Sequence, residues 1–161
     1  MNARDLVIRP QRPDIPGVVA MLAELDAYLA TLYEPEANHI LDGQALLSSE
    51  VDFLVAECSG ELLGCGATRR MPGEPATAGR AYGEIKRMFV APAARGQRIS
   101  SRLLATLEQR LQADGFALAL LETGGDQHEA VRLYERAGYQ RRDAFGGYPD
   151  NGLSLFYEKR L

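Results

Sequence analysis

Two sets of residues in this chain have types and spacings suited to chemistry. The first is cationic. Arg95, Arg98 and Arg102 surround Gly96 where a short loop opens into a helix. A helix start leaves several backbone N–H groups without intrahelical acceptors, and the helix dipole is positive there. Such an end is a ready site for a phosphate-like anion. The alternative is a group of solvated surface arginines. The loop carries neither the Gly-Lys-Ser/Thr ending of a P-loop nor the three spaced glycines of a dinucleotide turn. The second set is acidic. Glu84 lies inside the apolar strand Gly83–Val90, where a carboxylate is costly unless it is paired or faces a wet cleft. It reads either as a general base or as the partner of Lys86 or a nearby arginine.

Both sets lie in one stretch, Gly83–Leu111, which reads as strand, loop and amphipathic helix. Ile99, Leu103, Leu104, Leu107 and Leu111 make one apolar helical face. Period-two geometry places Glu84, Lys86, Met88 and Val90 on one face of the strand, and Ile85, Arg87 and Phe89 on the other. Arg95-Gly96-Gln97-Arg98-Ile99-Ser100 resembles the Q/R-x-x-G-x-G/A loop of the GNAT superfamily of acyl-CoA-dependent N-acetyltransferases. Ala130-Val131-Arg132-Leu133-Tyr134-Glu135-Arg136-Ala137-Gly138-Tyr139 resembles that family's second motif, A-x-x-L-Y-x-x-x-G-F/Y. The order of the two motifs, with a strand between them, also matches. Arg98 stands where the family usually has Gly, Ser100 where it has Gly or Ala, and Gln127 where it often has Asn. A left-handed backbone at position 98 would penalise Arg where Gly is free; a negative φ would leave the N–H available at no such cost.

The resemblance implies a fold, a co-substrate and a set of roles. The fold is α/β: a mixed central sheet of about six or seven strands with splayed central parallel strands and about four helices, in one domain over 1–161. Acetyl-CoA would be held by Met88, Phe89, Val90, Arg95, Gly96, Gln97, Arg98, Ile99, Ser100, Ser101, Gln127 and Tyr134. A bulge at Met88-Phe89 would present backbone donors to the thioester carbonyl and the pantetheine arm. Glu84 matches the position of a glutamate general base. Tyr134, which spacing alone reads as a core aromatic, matches the tyrosine that protonates the departing thiolate. The acceptor pocket would involve the first helical region, so Tyr33, Glu34, Glu36 and His39 become candidate contacts, with carboxylates to attract an ammonium. A solvated acidic loop is the plain alternative. Tyr148, in the turn-rich stretch Gly146–Gly152, could close over the acceptor. The implied activity is acetyl transfer to a primary amine of a small molecule, without a metal. A non-catalytic acyl-CoA sensor and a protein or peptide N-terminal acetyltransferase are the alternatives, and a homodimer is the family tendency.

Other elements must position these residues. Leu6–Ile8 reads as a first strand. Asp14 is placed to cap a helix whose stripe is Ile15, Val18, Val19, Leu22, Leu25, Leu29 and Leu32. A second short helix is expected over His39–Ser49. Phe53–Ala56 and Leu62–Ala67 form a hairpin around Ser59-Gly60, apolar enough for burial on both faces. Gly64 and Gly66 can admit another backbone closely. Arg69–Arg80, with two prolines and two glycines, reads as the most mobile loop. A parallel strand at Phe116–Glu122 precedes a helix begun by Asp126 and Glu129. Strands at Tyr139–Phe145 and Leu153–Lys159 close the chain.

Bulk properties set limits. The chain has 161 residues, 46% hydrophobic and 25% charged, with a formal net charge of −4. That balance fits an ordinary globular domain and argues against a general nucleic-acid binder. No apolar run approaches a membrane span, and Met1–Asp5 lacks signal-peptide character. In the hairpin register Cys58 and Cys65 sit roughly 13 Å apart, beyond the ~7 Å a disulfide allows. Two free thiols and a cytoplasmic location are therefore expected.

Overall fold

The computed structural model describes residues 5–161; residues 1–4, most of the N-terminal stretch considered for signal-peptide character, lie outside the described residues. Seven strands form one mixed sheet, in the order β1-β2-β3-β4-β5-β7-β6. They are β1 Leu6–Pro10, β2 Val51–Cys58, β3 Glu61–Met71, β4 Tyr82–Val90, β5 Leu118–Gly124, β6 Gln140–Arg142 and β7 Ser154–Arg160. Four α-helices accompany them: α1 Pro16–Leu32, α2 Gly43–Leu46, α3 Ile99–Ala113 and α4 His128–Arg136. β4, α3 and β5 form the expected crossover, and β4 and β5 are parallel. The chain divides into two compact units, Met1–Thr68 with Lys86–Leu107, and Arg69–Ile85 with Glu108–Leu161.

In the first unit, β1 pairs antiparallel with β2, from Leu6 opposite Cys58 to Pro10 opposite Leu54. Pro10, which lacks an N–H, sits at the end of an outer strand, where it is tolerated. The turn between β2 and β3 uses two left-handed residues, Ser59 and Gly60, as a tight hairpin requires. Val18, Met21, Leu22 and Leu25 of α1 pack with Leu46, Phe53, Val55, Cys65, Ala67 and Phe89. Val19, placed in the stripe from sequence, is half exposed, and Met21 takes its place. Asp14 does not cap α1. The N-cap is Ile15, and the Asp14 carboxylate accepts from Arg12 instead. The expected second helix shrinks to the single turn of α2, with Leu46 buried and Leu47 exposed. Its cap is Asp42, which accepts from the Ala45 N–H at 2.8 Å.

Gly64 shows why glycine is needed in β3. A Cβ there would lie 2.7 Å from the Phe89 carbonyl oxygen and against Leu103 and Val90. Its neighbour Cys65 is fully buried and its thiol donates to the Arg87 carbonyl at 3.3 Å. Burial pushes that thiol up to about 12, against a smaller opposing effect of Arg87. Both cysteines are free.

In the second unit, β7 pairs antiparallel with β5 and with β6. Tyr82, Leu118, Leu120, Phe145 and Phe156 form its core cluster. Lys159 binds Glu108 at 2.9 Å. Several boundaries differ from the sequence reading, β5 among them at Leu118–Gly124. β3 continues through Arg69–Met71, the strand expected over Tyr139–Phe145 is only Gln140–Arg142, and α4 starts after Gln127 rather than Asp126. Among the described residues no helix is long and apolar enough to cross a membrane.

This packing has two measurable consequences. Gly64→Ala should lower stability by about 1–3 kcal/mol, the usual cost of overpacking, read as a fall in the denaturant midpoint. At pH 8 a thiol near 12 is almost wholly protonated, so iodoacetamide should label half-exposed Cys58 and spare Cys65 in the native protein. Mass spectrometry of the labelled peptides reads the difference.

Candidate active site

β4 carries residues of both units, and its register is broken once. Arg87 has φ +58, a left-handed backbone that a strand does not ordinarily hold. Alternation holds on each side of Arg87 but not across it. Gly83 faces Leu111 of α3, whereas Met88 and Val90 lie with Leu107 and Leu103 of α3 over Gly66 and Gly64. The face set Glu84, Lys86, Met88 and Val90 is therefore corrected. Met88 and Val90 join the helix-facing side, and Phe89 packs with α1. The irregularity lies at Arg87, one residue before the bulge expected at Met88-Phe89. An extra residue in one strand rotates all the residues after it, as a bulge does.

In the first unit, the Arg87 guanidinium is almost fully buried and binds Asp26 of α1 at 2.6 Å. Sequence reading missed this pair, because Asp26 is far away in the chain and lies outside the apolar stripe. Lys86 donates to the His39 carbonyl at 3.4 Å. Tyr33 and His39 are half-buried, and Glu34 is exposed. Tyr33 closes α1 through its N–H to Leu29, and Glu34 precedes a short 3-10 turn over Pro35–Ala37.

The arginine-glycine loop lies in the same unit. Arg95 donates through Nε to the Val90 carbonyl at 3.3 Å. Gly96 and Arg98 both take left-handed backbone, at φ +81 and +61. The negative φ that would have spared Arg98 its penalty is therefore not adopted. Arg95 through Arg98 are exposed and Ile99 is buried as the first residue of α3. A Cβ on Gly96 would meet nothing within 4 Å, so the space over this turn is open. Ser100 and Ser101 come next in the first turn of α3, where N–H groups lack intrahelical acceptors.

In the second unit, the β4–β5 ladder pairs Gly83 with Ala119 and Glu84 with Leu120. Glu84 is only 3% exposed. Its carboxylate accepts from the Tyr148 hydroxyl at 2.6 Å. This contact comes from the turn-rich loop. The Tyr148 hydroxyl is pushed up, first by burial and then by the charge of Glu84 and its hydrogen bond. Tyr134 of α4 is buried, with its ring edge-on to Tyr139 at 5.9 Å. Burial raises its hydroxyl first, and Glu122 adds to the shift, so it stays protonated at neutral pH. Gln127 is the half-buried N-cap residue of α4 and makes no side-chain cap bond. Among the described residues no group of three or more His, Cys, Asp or Glu is arranged to hold a metal ion.

A family model described as the acetyltransferase (GNAT) family matches residues 19–139. The chain belongs to the GNAT family. It is 44% identical to an IAA acetyltransferase of Azospirillum brasilense over 98% of this chain and 99% of that one. It is 27% identical to the N-acetyltransferase YsnE of Bacillus subtilis, covering 89% and 92% of the two chains. A crystal structure described as an acyl-CoA N-acyltransferase, from Klebsiella pneumoniae, superposes with a TM-score of 0.76 at 34% identity, covering 97% of each chain. PaiA N-acetyltransferase of Thermoplasma acidophilum, solved with coenzyme A, shares the fold, with a TM-score of 0.75 at 17% identity over 97% and 99%. This GNAT protein is thus an acetyltransferase, with a seven-stranded mixed sheet and four helices.

Arg98→Gly tests the strain in its loop. A left-handed non-glycine residue costs roughly 1–2 kcal/mol, against about 0.5–1 kcal/mol for the extra freedom of Gly in the unfolded chain. The variant should be as stable as the parent or more stable, by up to about 1.5 kcal/mol in denaturant unfolding.

Proposed function

We propose that this GNAT protein, as one acetyltransferase domain over 1–161, moves an acetyl group from acetyl-CoA to a primary amine of a small molecule by direct attack. The observation that carries the reading is Glu84, a buried carboxylate in β4 on the rung of the β4–β5 ladder opposite Leu120. An alkyl ammonium with a pKa of about 10 is only about one part in a thousand neutral at pH 7, which costs about 4 kcal/mol to overcome. A base that takes this proton meets that requirement. We assign the role to Glu84, directly or through a water.

The donor set around the loop suits an anionic co-substrate. Arg95, Gly96, Gln97, Arg98, Ile99, Ser100 and Ser101 would hold its diphosphate through backbone N–H groups and arginine charge. Backbone N–H groups at Met88–Val90 would stabilise charge developing on the acyl oxygen. Bound acetyl-CoA supplies the activated acyl group. Gln127 is assigned to the same ligand. Tyr134, buried on α4, returns a proton to the leaving thiolate. Tyr33, Glu34, His39 and Tyr148 are assigned to the acceptor. The free thiols support a reducing, cytoplasmic setting.

The test has two parts. Calorimetry with CoA should show binding; a protein that ignores CoA ends the reading. An acetylation panel of IAA, amino acids, polyamines, aminoglycosides and peptides should give turnover on a small amine. Turnover on peptides alone would instead favour N-terminal acetylation, and binding without turnover a sensor. With the amine identified, Glu84→Gln should lower kcat by roughly 10²–10⁴-fold with acetyl-CoA affinity within about twofold of the parent. Tyr134→Phe should also lower kcat, and unchanged turnover would remove its proton-donor role.

A further inference from the structure

Glu74, in the loop between β3 and β4, caps the 3-10 turn Pro75–Thr77 by accepting from the Thr77 N–H, and its side chain makes two longer-range contacts that play no part in the roles assigned so far. Its Oε2 accepts from the Tyr82 hydroxyl at 2.9 Å, and its Oε1 accepts from the Gly146 N–H at 2.8 Å. Two residues further along each segment, Tyr148 donates to Glu84 at 2.6 Å. The strand residues 82 and 84 are thus matched to the loop residues 146 and 148, once through a carboxylate bridge and once directly. Gly146 and Gly147 are both left-handed, at φ +63 and +76. That backbone is freely open to glycine but does not hold itself in place, so the loop needs outside anchors.

Further contacts complete the brace. Arg142 donates to the Ala76 carbonyl at 2.6 Å and to Glu158 at 3.0 Å. Thr77 donates to the Arg80 carbonyl at 2.8 Å and accepts from the Glu74 N–H at 3.0 Å. The Phe145 ring meets Tyr82, Tyr148 and Phe156 edge-on, with centroids 5.6 to 5.8 Å apart. The segment that composition marks as the most mobile is in fact tied down on several sides.

We propose that Glu74 is a positioning residue for the acetyl transfer: it fixes the Gly146–Tyr148 turn against Tyr82, so that the Tyr148 hydroxyl meets the Glu84 carboxylate. The inference rests on the assignment of Glu84 as the base. Glu74 does not touch the reacting groups; it acts through Tyr148. The Tyr148 bond to Glu84 then depends on a residue ten positions before the carboxylate and a loop more than sixty positions after it.

The experiment compares wild type, Glu74→Ala, Glu74→Gln, Tyr148→Phe and Glu84→Gln in the full chain. The readouts are hydrogen exchange at the Gly146 amide with acetyl-CoA as the added probe, melting temperature, and kcat and KM on the panel amine that the wild type turns over. Glu74→Ala should exchange at Gly146 at least about tenfold faster, as local opening becomes easier. It should lose roughly 10- to 100-fold in kcat, the scale of a misplaced catalytic group, with KM for acetyl-CoA unchanged. Glu74→Gln keeps an oxygen for the Gly146 N–H and can donate to the Tyr82 oxygen, so it should recover kcat to within about threefold of wild type. Tyr148→Phe should lose kcat as Glu74→Ala does. Wild-type kcat or wild-type Gly146 exchange in Glu74→Ala overturns the proposal, as does a Glu74→Gln no better than Glu74→Ala. If Glu84→Gln keeps full turnover, the base assignment fails. Fast Gly146 exchange in Glu74→Ala would then still support the brace as a structural feature.

Discussion

A carboxylate buried in an apolar strand constrains everything around it. Glu84 is 3% exposed, and such a group must find donors or be driven neutral. The Tyr148 hydroxyl supplies one at 2.6 Å. A hydrogen bond to a charged group is worth about 1.5–3 kcal/mol, which offsets part of the cost of burial. The bond also ties a strand to a loop that lies more than sixty residues on. Its cost in chain ordering is spread over anchors that serve no chemistry themselves: Glu74, Arg142 and the edge-on aromatic rings. Where a donor is bound so firmly to a proposed base, approach of the acceptor must either join that bond or replace it. Under the role proposed for Glu84, turnover would depend on how readily the loop yields as well as on the carboxylate.

The first unit balances charge differently. Arg87 is nearly buried, and Asp26, its partner at 2.6 Å, is almost half exposed. The pair holds a guanidinium under the sheet while one oxygen-bearing group stays in reach of water. Removing Asp26 would leave a buried cation uncompensated, which is far more damaging than removing both groups together. The ion pair also pins the side chain of the one β4 residue whose backbone is left-handed. The register break at Arg87 is thus fixed from two directions, by Asp26 on its side chain and by the Cys65 thiol on its carbonyl.

Much of the architecture was legible because it is written in local periodicity. Ile99, Leu103, Leu104, Leu107 and Leu111 announce α3, and all five are buried. The strand–helix–strand order implied the parallel β4–β5 pair, and Gly115 and Gly138 end helices in left-handed backbone. The failures share a different cause. Asp14 could cap a helix or pair with Arg12, and nothing local decides between two short-range options; the guanidinium won. Alternation along β4 was read correctly on each side of Arg87, but a single backbone dihedral reversed the parity of the residues beyond it. Glu74 sits between Gly73 and Pro75, a setting that signals a loop and nothing more. Its meaning lies in Gly146, 72 residues away, and composition carries no information about such a partner.

Two arginines in this chain hold left-handed backbone within twelve residues of each other, Arg87 and Arg98. Such conformations cost free energy and persist where the surroundings over-determine them. At Arg87 the determinants are a buried ion pair and a thiol hydrogen bond. At Arg98 the side chain is exposed, so side-chain burial does not fix it. The turn itself does, because it must reverse between Arg95, anchored on the Val90 carbonyl, and Ile99, buried at the start of α3. Glycine would satisfy that turn with less strain. Arginine satisfies it while adding a positive charge at the positive end of a helix, an arrangement unfavourable for the helix alone. The residue makes electrostatic sense when an anion occupies the helix end. On that argument a diphosphate held there, as proposed, would offset the strain and the repulsion at Arg98.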